Sequence, residues 1–175
     1  MIGNFIYLEY LLLFRDYIAT LKKKEALSEI FLPFIIAILS YFFTLPNANI
    51  GKLSIFVGYV INFLAILIGF SITSVTILSS ESGKRFEMLK KLQTERMIGG
   101  ATITGHQLIL ITFIYVIVVE FFTLTYNLVY YLLWINGFLT SYCKFIIAVN
   151  IFLLLHIIML NIRNITSFYF IYWKE

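Results

Sequence analysis

From Leu53 to Ser79 this chain carries no charged side chain at 27 consecutive positions. A helix of that length rises ~40 Å at ~1.5 Å per residue, more than the ~30 Å hydrocarbon core of a bilayer, and marks a membrane span rather than a soluble core helix. Three further runs have the same character. One extends from Gln107 to Trp134, interrupted only by Glu120. Another extends from Tyr142 to Asn164, with Lys144 near its start and Arg163 near its end. The remaining one, Ile30 to Leu45, is short unless it begins near Leu27, and it stops at Pro46-Asn47-Ala48-Asn49. Only 13% of the residues are charged, about half the usual share for a soluble domain. Two prolines and nine glycines leave no room for a flexible linker. The expected fold is all-α: a four-helix transmembrane bundle with an amphipathic, basic N-terminal helix over residues 1–26. The four-span domain covers 27–170 and its loop 80–106.

Lysines and arginines orient these spans. Eleven (Arg15, Lys22, Lys23, Lys24, Lys84, Arg85, Lys90, Lys91, Arg96, Arg163 and Lys174) fall on one side, and two (Lys52 and Lys144) on the other. The positive-inside rule then predicts that both termini and the 80–106 loop are cytoplasmic, in a multi-pass protein of the cytoplasmic membrane. The N-terminal stretch has apolar residues at Phe5, Leu8, Leu11, Leu12, Ile18 and Leu21, but Glu9, Arg15 and Asp16 interrupt it before spanning length. An interfacial or cytoplasmic packing helix fits that pattern. Lys22, Lys23 and Lys24 follow it, as a stop-transfer cluster in contact with phospholipid or, with Arg15, as a surface for an anionic ligand.

Within the spans the polar residues are periodic. Ser54, Gly58, Asn62, Ala65, Gly69, Thr73, Thr76 and Ser80 follow one another at steps of three or four, which places all eight on one helical face. Such a face lets helix backbones approach closely in lipid, or lines an aqueous pathway when several copies surround an axis. The third span has Thr112, Glu120, Thr123 and Asn127 on one face. A carboxylate at mid-membrane costs roughly 2.5–3.5 kcal/mol on insertion scales, so Glu120 is expected to face protein or water. His156 lies at similar depth in the fourth span, and a Glu120 to His156 hydrogen bond is expected, as a packing device or as part of an ion pathway. Asn150, Asn161 and Asn164 share a face of that span, and Arg163 is expected to snorkel to the interface.

Catalytic signatures are missing. There is no HExxH, CxxC, GxxxxGK[ST] or GxSxG motif, Cys143 has no second thiol, and the glycine-rich segment Met97 to His106 is expected to be a hinge or tight interhelical turn. No enzyme activity, cofactor or metal is expected. Three functions suit a small polar-striped membrane chain: a homo-oligomeric ion channel, an accessory subunit without a pore, and a holin-like lysis protein. Channel-lining candidates are Asn62, Gly69, Thr73, Thr76, Ser80, Glu120, Thr123 and Asn127.

The basic helix before the first span, the segment Ile66-Leu67-Ile68-Gly69-Phe70-Ser71-Ile72-Thr73-Ser74-Val75-Thr76-Ile77-Leu78-Ser79-Ser80 and the basic loop after it resemble small membrane effectors of bacterial anti-phage operons. In layout the chain is similar to the channel subunit of the Hailong system. There a partner nucleotidyltransferase makes DNA oligomers that hold a tetrameric channel closed. The resemblance implies a tetramer in the bacterial inner membrane, with Arg15, Lys22, Lys23 and Lys24 as the oligonucleotide site.

Overall fold

The computed structural model describes residues 9–43, 50–81, 83–136 and 143–173. The turn read at Pro46–Asn49, and Lys174, lie outside the described residues. Helix α1 spans Glu9–Thr20. Helix α2, Lys23–Ala26, continues through a π-helical turn, Leu27–Phe31, into α3, Leu32–Phe43. Then come α4 (Ile50–Ser80), α5 (Lys84–Lys91), strands β1 (Gln93–Ile98) and β2 (Ala101–Thr104), α6 (Gly105–Ile135) and α7 (Cys143–Trp173). Four stretches, Lys23–Phe43, Leu53–Ser80, Gly105–Leu133 and Lys144–Phe170, are long and apolar enough to cross a membrane. By this measure the chain is an all-α, multi-pass membrane protein.

The first span starts earlier than Leu27 because its helix is continuous from Lys23, and its π turn has a local cause. Pro33 has no N–H and its ring would collide with the carbonyl of Glu29, four residues back. A widened turn accommodates the ring, with the Leu32 N–H bonded to the Leu27 carbonyl five residues earlier. The Glu29 carbonyl is thereby released from the helix ladder.

In space the spans succeed one another as α3, α7, α6 and α4, so α3 and α4 each lean mainly on one neighbour. Tyr17 of α1 stacks on Tyr115 of α6 with ring centroids 3.7 Å apart. With Val60, Leu64, Val116, Ile157 and Leu160 these rings form the central core. Leu11, Leu12 and Ile18 of α1 stay exposed.

The segment read as a hinge is a β-hairpin. Ile98 pairs with Ala101 and Met97 with Thr102, which leaves Gly99 and Gly100 as a two-residue loop. Their φ values of 59° and 85° are those of a type I′ turn, which glycine enters without steric cost. Gly-Gly between Met-Ile and Ala-Thr-Ile-Thr is the sequence signal for such a turn, obscured by the short, half-polar strands around it.

Candidate functional site

The small and polar stripe of α4 is turned away from the rest of the chain. Its buried face consists of Leu53, Val57, Val60, Leu64, Ile68, Ser71, Ser74 and Leu78. Ser54 and Gly58 are half-buried, and Asn62, Ala65, Gly69, Thr73, Thr76 and Ser80 are exposed. A Cβ added at Gly58 or Gly69 would meet nothing within 4 Å. Both glycines therefore have open space where a side chain would stand. Three hydroxyls are satisfied locally: Thr73 donates to the Gly69 carbonyl at 2.8 Å, Thr76 to Ile72 at 3.0 Å and Ser80 to Thr76 at 2.8 Å. Each oxygen keeps acceptor capacity toward the outside.

The polar face of α6 points the opposite way. Glu120, Thr123 and Asn127 are fully buried inside the single chain, and Thr112 nearly so. Within the single chain they share no surface with the exposed α4 stripe, and Glu120 is met by side chains of α4 and α7. Glu120 Oε1 accepts from the Ser71 hydroxyl at 3.1 Å and from Asn161 Nδ2 at 3.0 Å.

The expected Glu120 to His156 pair does not form. His156 and Asn161 are five residues apart, about 140° around a helix, so only one of them can face Glu120. His156 instead lies near Glu29 and Tyr115. Its Nδ1 is 2.5 Å from the Glu29 carbonyl released by Pro33. A carbonyl only accepts, so Nδ1 carries the proton; in the neutral ring Nε2 then accepts from the Tyr115 hydroxyl at 3.0 Å.

Around this histidine, one buried and three half-buried charges tie four segments together. The Glu29 carboxylate accepts from the Tyr17 hydroxyl at 2.6 Å and from Arg163 at 3.1 Å through each oxygen. Burial, and then the Glu29 carboxylate, push the Tyr17 phenol above its usual range, so it remains a donor. Arg163 also lies 3.8 Å from Glu25. Arg96 of β1 grips Glu25 with both terminal nitrogens, at 2.8 and 2.5 Å, and donates to the Thr20 carbonyl. Arg163 therefore does not snorkel. It joins α7 to the first span, because the π turn brings Glu29 to it. Neither glutamate was singled out from the sequence; Glu29 standing four residues before Pro33 was the available signal.

The four expected ligand-binding cations divide. Arg15 pairs with Asp16 at 3.0 Å and Lys22 with Glu95 at 2.9 Å, whereas Lys23 and Lys24 are exposed and form no ion pair among the described residues. No group of three His, Cys, Asp or Glu side chains suited to a metal occurs among the described residues. No protein-family model, curated protein or solved structure matches the chain.

Proposed function

We propose that this chain is the repeating subunit of a homo-oligomeric ion channel whose subunits meet, or whose pore is lined, along the exposed stripe of α4. The outward turn of that stripe is the observation that carries the proposal. Facing lipid, Asn62 would sit where an amide lacks solvation, and Gly58 and Gly69 would leave gaps that no side chain of the chain fills. A second copy covers small residues by close backbone approach, and water covers hydroxyls and amides. Both come from arranging α4 around an axis. The lysine and arginine bias supports an orientation with the hairpin and both termini in the cytoplasm.

Lys23 and Lys24, exposed where the first span begins, would gather into one basic surface around such an axis and suit a polyanion as gating ligand. Tetrameric assembly, a DNA oligomer made by a partner nucleotidyltransferase and a role in anti-phage defence enter this proposal from the layout shared with Hailong channel subunits.

Reconstitution tests it. The purified chain should run as a symmetric oligomer and release ions from loaded liposomes. Gly69→Leu and Thr73→Leu should cut that flux at least roughly tenfold while helical content and melting in detergent hold, since both substitutions meet open space in the single chain. Lys23→Glu with Lys24→Glu should abolish oligonucleotide binding, and the affinity of the parent protein should fall steeply with salt. A strictly monomeric protein, or flux unchanged by both leucines, overturns the channel and leaves an accessory subunit. Lysis caused by the chain alone would favour a holin.

A further inference from the structure

The polar residues buried on α6 and α7 share a chemical bias. Asn127, Asn150 and Asn161 each direct Nδ2 to the carbonyl four residues back in their own helix: Thr123 at 2.9 Å, and Ile146 and Ile157 at 3.1 Å. The atom beside a carbonyl must be the donor, so the amide orientation is fixed and each Oδ1 is turned away from its own helix ladder. All three Oδ1 atoms, together with Glu120 Oε2, are buried without a hydrogen-bond partner. Asn164 Nδ2 is the one unpartnered nitrogen among these side chains. The seam is thus rich in acceptors and short of positive charge. Glu120 is fully buried and meets only neutral donors, Ser71 and Asn161, while Arg163 is committed to Glu29 and Glu25.

We propose that this seam is a binding site for a small monovalent cation, Na⁺, centred on Glu120 and completed by the oxygens of Asn161 and Ser71. Hard cations select carboxylate, amide and hydroxyl oxygens, and a single carboxylate matches a single positive charge. Protonation of Oε2 satisfies this group less well, because one O–H serves one acceptor, whereas an ion is shared among the oxygens of Glu120, Asn161 and Ser71. The bound ion fastens α4, α6 and α7 to one another through Glu120. This site lies inside each subunit and does not depend on the conduction path proposed along α4.

The test is protection of Glu120 from a hydrophobic carbodiimide. The full-length protein is labelled at constant ionic strength in NaCl, KCl or choline chloride, and the modified peptide is read by mass spectrometry. Na⁺ at about ten times its dissociation constant should slow labelling roughly tenfold relative to choline, since only the free fraction reacts. Ser71→Ala should raise the Na⁺ concentration for half-protection severalfold. In melting experiments Na⁺ should stabilise the parent protein and leave Glu120→Gln unmoved. Equal labelling in NaCl and choline, the behaviour of a carboxyl that binds a proton only, overturns the site even if every variant misfolds. Protection undiminished by a folded Ser71→Ala also counts against it. A monomeric protein that shows Na⁺ protection keeps this site and loses the channel; a conducting oligomer without protection does the reverse.

Discussion

Helices α4 and α6 carry polar stripes with the same helical spacing, and the chain treats them in opposite ways. On α6, Glu120, Thr123 and Asn127 are fully buried, and Glu120 is met by Ser71 and Asn161 from neighbouring helices. On α4, Asn62, Gly69, Thr73, Thr76 and Ser80 face outward, and nothing in the chain approaches Gly69. The difference separates two uses of polarity in a membrane. An inward stripe fixes how the helices of one chain pack, while an outward one leaves its polar and small residues facing away from that chain. The buried and half-buried ion pairs near the hairpin extend the inward class.

The contrast is broken most severely at Arg163. Its guanidinium is the cationic partner of Glu29, which is 4% exposed, so Arg163→Ala strands a buried charge. Removing one partner of a buried pair costs about 3–5 kcal/mol, whereas replacing both partners by apolar residues of similar volume is often neutral. Denaturation in mixed micelles should therefore show a large loss for Arg163→Ala and a much smaller one for Arg163→Met combined with Glu29→Leu. If Arg163→Ala unfolds like the parent, the ion pair is not what joins α7 to the first span.

Substitutions that remove one polar group from each stripe sharpen the comparison. Asn161→Leu deletes a donor to Glu120 and leaves a buried acceptor poorly served, for an expected loss of about 1–3 kcal/mol. Thr73→Val on the outward stripe removes only a hydroxyl that bonds back to its own helix, and the single-chain stability should move by no more than about 0.5 kcal/mol. The same denaturation assay, run under conditions that keep the protein monomeric, compares the two. Equal losses would mean that the stripes are not used differently.

Much of this was legible beforehand and the missing part has a common cause. Charge-free runs such as Leu53 to Ser79 locate helices because burial in lipid is a one-dimensional requirement. Periodicity then says that Asn62, Gly69 and Thr73 share a face, yet it is silent on which way that face turns, since turning depends on the neighbours. Depth alone also put Glu120 beside His156, and the angle around α7 separated them. The network of Glu25, Glu29, Arg96 and Arg163 joins residues up to 138 positions apart, which no local pattern encodes. Its buried member, Glu29, lies within the π turn Leu27–Phe31 that precedes Pro33.

The smallest effect belongs to a pair outside both stripes. Lys22 donates to Glu95 at 2.9 Å, linking the junction of α1 and α2 to the hairpin, with both side chains well exposed. The hydrogen bond and charge of Lys22 hold the Glu95 carboxyl below its usual range. Because the folded value is depressed, whatever the pair contributes is present at neutral pH and is lost as the pH falls through that value. Exposed pairs are screened by salt and pay entropy for their order, so Glu95→Gln should leave the melting temperature unchanged within error at neutral pH. A clear drop on Glu95→Gln, abolished by high salt, would show that the exposed hairpin contact stabilises the fold much as the buried residues do. It would also blur the line between matched interior polarity and solvated surface charge on which the comparison of α4 with α6 rests.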